Sequence, residues 1–274
     1  MSSHEPQYHT IKADTNMLRV AVWKGSGKGN HLPILFFNGI GANVELIAPL
    51  PEALNDRDII AFDAPGIGGS EPAFMPYRPR QFVRMAMIIL DKLGYGDVDV
   101  MGVSWGGVMA QQFAYQYPDR TRHLILCATA AGVVMVPGNP KALIKMAHPR
   151  RYMDPDYMLK NFRTLYGDET GGAGDHSSRL RAPTMRGYFY QLLAGIGWTS
   201  VAFLPFLKVP VLVMAGDNDQ IVPLINGRFL AQLIPNSRLE IVKGGHLFLV
   251  SRVQEVIPLI REFLDTDTSV RAAS

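Results

Sequence analysis

Short apolar runs typical of β-strands alternate along most of the chain with stretches in which apolar residues recur at helical spacing. Two early runs, 8–12 and 17–23, predict an antiparallel pair of strands. The strongest strand predictions are six later runs, and several of these are apolar throughout, as expected for parallel strands covered on both faces. These six are residues 32–38, 58–63, 97–104, 123–130, 209–216 and 237–244. The alternation predicts an α/β fold with a mostly parallel central sheet and helices on both faces.

The clearest helical periodicity lies in two segments, 82–93 and 253–264. In the first segment Phe82 and Met85 recur on one predicted face. In the second, Pro258 stands inside the pattern. Because proline cannot donate the main-chain hydrogen bond that a helix interior needs, it predicts a bend or a late start of this helix.

One long segment, 132–207, interrupts the alternation, because it contains no convincing strand and is rich in Met, Tyr, Arg and Pro. Its polar, glycine-rich part, 167–178, predicts a loop. We expect an insertion of this size between two late strands to fold as a helical lid over the carboxyl edge of the sheet. The predicted domains are therefore an α/β core of residues 1–131 and 208–274, and a lid of residues 132–207.

The composition excludes several classes of function. Among 274 residues 47% are hydrophobic, which is enough for a substantial core. The net charge is only +3 and no Lys/Arg run interleaves with aromatic residues, so nucleic acid is not an expected partner. No targeting segment or apolar run long enough to span a bilayer is present, which predicts a cytoplasmic protein without a membrane span. The single cysteine, Cys127, excludes an internal disulfide and predicts a buried side chain.

The stretch Gly-Val-Ser-Trp-Gly around Ser104 fits the pattern G-x-S-x-G, between a predicted strand and a predicted helix. A serine at this position can simply cap the helix. The flanking glycines favour another role, since so sharp a turn strains the serine and leaves no room for side chains two positions away. The hydroxyl then projects at a helix N-terminus, where developing negative charge is stabilised. We therefore predict that Ser104 is a nucleophile.

A nucleophilic serine needs a base to take its proton and an acid to orient that base. After a turn of this kind the acid and the histidine follow in that order, at the ends of later strands. His246 comes just after the last predicted strand, so we predict that it is the base. The remaining histidines lie near the N-terminus, in a turn, at the amino end of a strand or in the lid segment: His4, His9, His31, His123, His148 and His176.

Two aspartates follow the strand 209–216 and are candidates for the acid. Asp219 lies farther along the loop and can reach across to His246. Asp217 adjoins the strand end, a position typical of a side chain that hydrogen-bonds nearby amides. We favour Asp219 and keep Asp217 as the alternative.

An oxyanion hole requires two donors. One is predicted to be the amide of Trp105, directly after the nucleophile. The other is predicted to be the amide of Ile40, in the glycine-containing loop after strand 32–38, and Asn38 begins this loop. We also expect the ring of Trp105 to form part of the pocket wall.

Two other stretches resemble cofactor loops only superficially. Residues 39–44 follow a strand as a dinucleotide fingerprint does, but Val44 occupies the sixth position, where that motif has glycine or alanine. Residues 24–29 lack the Ser or Thr that a phosphate loop carries after Gly-Lys, and they predict a hairpin turn. Neither stretch therefore predicts a cofactor site.

These motifs together resemble those of the α/β-hydrolases, and more narrowly those of the bacterial intracellular depolymerases of medium-chain-length polyhydroxyalkanoate. The order Ser104, Asp219, His246 is part of the resemblance. The remaining matches are FNGIGAN (37–43), GVSWGG (102–107), AQQFA (110–114), ATAAG (128–132), VMVPG (134–138), PRRY (149–152), AGIGWTS (194–200), PLIN (223–226) and GHLFL (245–249).

The resemblance implies an α/β-hydrolase fold and a serine esterase that cuts the stored polyester to 3-hydroxyacids or short oligomers at the surface of cytoplasmic granules. The Met and aromatic residues of segment 132–207 can line an apolar tunnel or present an apolar surface to the polymer. A small-molecule carboxylesterase or a cofactor-free perhydrolase stays open as an alternative, because these enzymes share the triad. A ligand-binding protein with little turnover is a further alternative.

Overall fold

A computed structural model describes residues 5–27, 31–148, 150–166 and 178–265. Eight strands form a single sheet in the order β1-β2-β4-β3-β5-β6-β7-β8. They are β1 (Gln7–Ala13), β2 (Asn16–Trp23), β3 (Ile34–Phe37), β4 (Ile59–Phe62), β5 (Val98–Val103), β6 (Thr121–Cys127), β7 (Val211–Gly216) and β8 (Ser237–Val242). Each strand overlaps one of the predicted apolar runs.

The sheet is mixed at one end and parallel elsewhere. Strand β2 is antiparallel to both β1 and β4, and all the remaining pairs are parallel. The predicted antiparallel pair and the mostly parallel sheet are confirmed. The hairpin turn predicted for residues 24–29 is wrong, because β2 pairs with β4 rather than with β3. Strand β4 lies between β2 and β3 in the sheet, so the connection from β2 to β3 has to span the width of β4 and cannot be a tight turn.

Ten α-helices are present in the described ranges. They are α1 (Pro49–Ala53), α2 (Pro79–Leu93), α3 (Trp105–Gln116), α4 (Pro140–Ala147), α5 (Arg150–Met153), α6 (Pro155–Tyr166), α7 (Met185–Gly195), α8 (Leu224–Leu233), α9 (Phe248–Ser251) and α10 (Val253–Leu264). Short 3₁₀ helices span Val44–Ile47, Pro118–Arg120 and Leu204–Phe206.

Alternate residues of the central strands face two separate apolar layers, as the two-residue period of a strand requires. In β3, Leu35 and Phe37 belong to one layer, and Ile34 and Phe36 to the other. Helices α2, α3 and α8 contribute to the first layer, whereas α1, α9 and α10 contribute to the second. The prediction of helices on both faces is therefore confirmed.

Helices α4 to α7 lie between β6 and β7, in the segment predicted to be a lid. The exact division into a core and a lid stays a prediction. Of the loop predicted at 167–178, all but Ser178 lies outside the described residues. Helix α10 begins at Val253 with Pro258 inside it, so of the two alternatives predicted from this proline the late start is wrong and the bend stays a prediction.

Candidate active site

Ser104 occupies the turn between β5 and α3. Its φ of 55° and ψ of −119° lie in a region that residues with a side chain rarely adopt. Its amide donates to the Cys127 carbonyl at 2.9 Å, and the Thr129 hydroxyl donates to its own carbonyl at 2.7 Å. The side chain makes no capping hydrogen bond to α3. The hydroxyl therefore stands at the helix N-terminus without serving as its cap.

The glycines around Ser104 are required by close packing. A Cβ on Gly102 would lie 2.6 Å from the carbonyl carbon of Gly106. A Cβ on Gly106 would collide with the main-chain oxygen of Phe37, at the end of β3. The turn thus lies directly against the loop that follows β3, and any larger residue would force the two apart.

His246 and Asp219 form a buried pair at the carboxyl ends of β8 and β7. Nδ1 of His246 lies 2.7 Å from Oδ2 of Asp219, and both side chains are almost completely buried. The other carboxylate oxygen of Asp219 accepts from the amides of Ile221 and Val222 at 2.8 and 2.9 Å. These bonds hold the carboxylate in one orientation, with one oxygen directed at the imidazole.

Asp217, the alternative acid, has a different environment. It is exposed, and its Oδ1 accepts from the amide of Gly244 at 2.8 Å. This bond ties the loop after β7 to the loop after β8, which is the loop-stabilising role that its position predicts.

The loop after β3 passes close to Ser104. A Cβ on Gly39 would lie 3.9 Å from the Cβ of Ser104, and Ile40 lines the same cavity as Ser104. Asn38 stabilises this loop from within, since its Nδ2 donates to the Asn43 carbonyl at 2.8 Å. Its Oδ1 also accepts from the amide of Gly39 at 2.9 Å. The loop therefore lies next to Ser104, and the role of the Ile40 amide as an oxyanion donor stays a prediction.

The ring of Trp105 is directed away from this cavity, so the expected contribution to its wall is wrong. The indole contacts Phe82 edge-on, with ring centroids 5.1 Å apart. Its Nε1 donates to the main-chain oxygen of Gln191 in α7 at 3.0 Å. The N–H of a partly buried indole needs a hydrogen-bond acceptor, and the main chain of α7 supplies it.

The cavity in front of Ser104 and His246 has a volume of about 680 Å³, including the part open to solvent. Its walls are mostly apolar and come from the β3 loop, the helical segment after β6 and the loop after β8. The side chains that form these walls are Phe36, Ala42, Leu46, Ile47, Val103, Met146, Leu180, Leu247, Leu249 and Val250. Arg151 and Tyr166 add polar groups, and Nε of Arg151 donates to the Tyr166 hydroxyl at 3.2 Å.

Met and aromatic residues in the described part of the segment between β6 and β7 occupy three environments. Met158 and Phe162 are buried in a small apolar cluster of this segment. Met146 and Tyr166 line the cavity. Others are exposed: Met185, Phe189 and Phe206. The apolar wall and the apolar surface expected of this segment are thus both present, on different residues.

Sequence reasoning missed three buried polar residues beside the site. Asn43 links the β3 loop to residues 179–181, through bonds to the Arg179 carbonyl and the Arg181 amide, both at 2.9 Å. Gln191 of α7 contacts the same loop, and Arg151 lies in the cavity wall. The matches FNGIGAN and PRRY include Asn43 and Arg151 but suggest no role for either residue, and Gln191 lies in none of the matches. These partners of Asn43 and Gln191 lie more than 80 residues away in the sequence.

Two further properties concern the described residues alone. In those ranges, no group of three or more His, Cys, Asp or Glu side chains is arranged to hold a metal ion. Within the same ranges, every helix is too short or too polar to cross a bilayer.

Comparison with known proteins gives a consistent result. The model of the alpha/beta hydrolase fold family matches residues 33–171 and 163–253. A poly(3-hydroxyalkanoate) depolymerase of Ectopseudomonas oleovorans is 48% identical over 268 residues, which cover 95% of this chain and 93% of that protein. A 2-hydroxymuconate semialdehyde hydrolase of Pseudomonas putida is 30% identical, with 76% of this chain and 77% of that protein covered.

Among solved structures, an esterase from Exiguobacterium antarcticum superimposes with a TM-score of 0.80. The match covers 95% of this chain and 99% of the esterase at 18% identity. At so low an identity the likeness shows the fold alone.

Proposed function

The chain belongs to the α/β-hydrolase family, and on that premise we propose that it is a serine esterase that hydrolyses medium-chain-length polyhydroxyalkanoate. The observation that carries the proposal is a single cavity lined by Ser104 and His246, with Asp219 buried behind the histidine. The substrate class is supported by the 48% identity, over nearly the whole chain, to a poly(3-hydroxyalkanoate) depolymerase.

In the acylation step the hydroxyl of Ser104 attacks the ester carbonyl while His246 takes its proton. An ionised carboxylate can only accept hydrogen bonds, so Nδ1 of His246 carries the hydrogen directed at Asp219 and leaves Nε2 free for the serine proton. The amides of Ile40 and Trp105 stabilise the oxyanion that forms as the carbonyl bond opens. His246 then protonates the leaving alkoxide, and the acyl group stays on Ser104.

Deacylation repeats these roles with water as the nucleophile. His246 accepts a proton from the water that attacks the acyl-enzyme, and the same two amides stabilise the second oxyanion. The proton then passes to the oxygen of Ser104, which releases a 3-hydroxyacid or a short oligomer. No step of this sequence uses a metal or an organic cofactor.

The apolar walls of the cavity suit a substrate whose side chains are alkyl groups, because burying each methylene contributes about 0.8 kcal/mol. A polymer surface needs a second contact outside the cavity. We assign this contact to the exposed apolar stripe on α7 and the residue after it, formed by Met185, Phe189, Leu192 and Ile196. On this proposal the protein acts in the cytoplasm, at the surface of storage granules.

The experiment that tests the function compares wild type with Ser104→Ala on 4-nitrophenyl octanoate and on a suspension of poly(3-hydroxyoctanoate). We expect the wild type to hydrolyse both substrates. Ser104→Ala should lose activity on both by about 10⁴-fold or more, because no other group replaces the nucleophile.

Two outcomes would contradict the proposal in different ways. Activity on the aryl ester with none on the polymer would indicate a small-molecule carboxylesterase and overturn the depolymerase assignment. Undiminished activity of Ser104→Ala on either substrate would overturn the mechanism.

A further inference from the structure

Gln191 lies in α7 with only 1% of its surface exposed, and its two oxygens bind two different parts of the site. The side-chain oxygen accepts from the amide of Gly41 at 2.8 Å. The main-chain oxygen accepts from Nε1 of Trp105 at 3.0 Å. One residue of the helical segment therefore contacts both the loop that carries the Ile40 amide and the residue that carries the other oxyanion amide.

The bond to Gly41 restrains the turn that presents the Ile40 amide. This turn is closed by the Ala42 amide, which donates to the Gly39 carbonyl at 3.2 Å, and it has Ile40 and Gly41 at its centre. The φ of 69° at Gly41 is that of the third residue of a type II turn. Since glycine adopts either sign of φ at little cost, the central peptide needs an outside partner to stay in one orientation.

The second bond of Gln191 acts on Trp105, the residue that carries the other proposed amide donor. The indole is held between Phe82 and α7, so the first residue of α3 has a fixed side chain. A change in the main-chain dihedral angles of Trp105 would move both its ring and its amide, so the contacts of the ring oppose such a change. An oxyanion hole works only when its donors are already aligned, because realigning them during the reaction costs part of the stabilisation.

We propose that Gln191 is a positioning residue that holds both amide donors of the oxyanion hole in alignment. The inference rests on the proposed function, in which the amides of Ile40 and Trp105 are those donors. Gln191 does not itself touch the substrate, and it acts through the peptide of Gly41 and the ring of Trp105.

The test replaces Gln191 with methionine, which keeps the length and volume of the side chain but removes the acceptor for Gly41. Gln112→Met is the matched control. Gln112 is also buried and its side-chain oxygen accepts from an indole, that of Trp198 at 2.9 Å, but it touches neither amide donor. Both variants are assayed on 4-nitrophenyl octanoate, and their thermal unfolding midpoints are measured.

We expect Gln191→Met to lower kcat about 10- to 100-fold with little change in KM, because loss of the Gly41 bond misplaces the Ile40 amide, and a misplaced donor affects the transition state more than the bound ester. The bond from Trp105 to the main-chain oxygen of residue 191 is kept in this variant. A matched pair of inhibitors gives a second readout. The Ser104 oxygen adds to the carbonyl carbon of octyl trifluoromethyl ketone, and the oxyanion that results occupies the oxyanion hole. Octyl methyl ketone binds without this addition, so Gln191→Met should weaken the binding of the trifluoromethyl ketone alone.

The inference is overturned if Gln191→Met keeps kcat and inhibitor affinity within about twofold of wild type. It is also overturned if Gln112→Met loses kcat and trifluoromethyl ketone affinity as much as Gln191→Met does, since the effect would then be one of general stability. Ser104→Ala in the same assay separates the two proposals. If that variant stays active, the mechanism itself fails, whereas an inactive Ser104→Ala beside an unaffected Gln191→Met defeats only the role of Gln191.

Discussion

Two aspartates of one loop have different partners, and their expected contributions to catalysis differ accordingly. Asp219 bonds to the imidazole of His246 and to two amides, all within 2.9 Å. Asp217 bonds to a main-chain amide of the neighbouring loop. The two residues lie close together in the sequence, so only the direction of each side chain distinguishes them.

We predict that Asp219→Asn lowers kcat on 4-nitrophenyl octanoate by about 10⁴-fold, because an amide no longer stabilises the imidazolium or fixes its tautomer. Asp217→Asn keeps an oxygen acceptor for the Gly244 amide and should stay within about threefold of wild type. Steady-state kinetics of the two variants provide the measurement. A larger loss in Asp217→Asn would reverse the assignment of the acid.

At the scale of elements, α7 is a helix with two different faces. Gln191 faces inward to the loop after β3, whereas the apolar stripe faces outward, with Met185 69% and Ile196 61% exposed. Its members recur at spacings of three and four residues, which places them on one side of a helix. The end of this stripe adjoins a loop in which Phe74 is also exposed, since Arg78 donates to the Ile196 carbonyl at 2.8 Å.

We predict that the double variant Phe189→Ser, Leu192→Ser lowers the rate on suspended poly(3-hydroxyoctanoate) at least about fivefold, because adsorption loses apolar contact area. The rate on dissolved 4-nitrophenyl octanoate should change little, since neither side chain lines the cavity. The exposed Ile241 on the edge strand β8 supplies the control, Ile241→Ser. Equal losses on both substrates would argue against a role of the stripe in polymer contact.

At the scale of the whole molecule, the sheet carries two buried His–Asp pairs at opposite ends of its parallel strands. His246 and Asp219 follow the carboxyl ends of β8 and β7. His123 and Asp99 lie near the amino ends of β6 and β5, with Nδ1 and Oδ1 also 2.7 Å apart. The geometry of the two pairs is alike, but only the first shares a cavity with a strained serine.

The second pair should contribute to stability and not to catalysis. We predict that Asp99→Leu lowers the free energy of unfolding by about 1–3 kcal/mol, because the buried Nδ1 of His123 loses its partner. Urea unfolding followed by fluorescence measures this change, and kcat at 25 °C should stay close to the wild-type value. A loss of kcat in a fully folded Asp99→Leu sample would indicate a coupling between the two ends of the sheet.

Much of the fold could be predicted because its signals are local. The central strands of the sheet appear as short apolar runs, and the turn around Ser104 is encoded in neighbouring glycines. The errors arose where a distant partner decided the outcome. The segment 24–29 has the composition of a hairpin turn, yet β4 lies between β2 and β3 in the sheet, so these two strands form no hairpin.

The sequence by itself determined the order of strands and helices, the sharp turn at Ser104 and the short set of candidates for the catalytic acid and base. Periodicity and turn chemistry are properties of a few adjacent residues, so these features need no tertiary information. Tertiary structure decided that Asp219 faces His246, that the Trp105 ring faces α7, and that Gln191 touches the loop after β3. The last contact joins residues 150 positions apart, and such a contact exists only once packing has brought the two segments together.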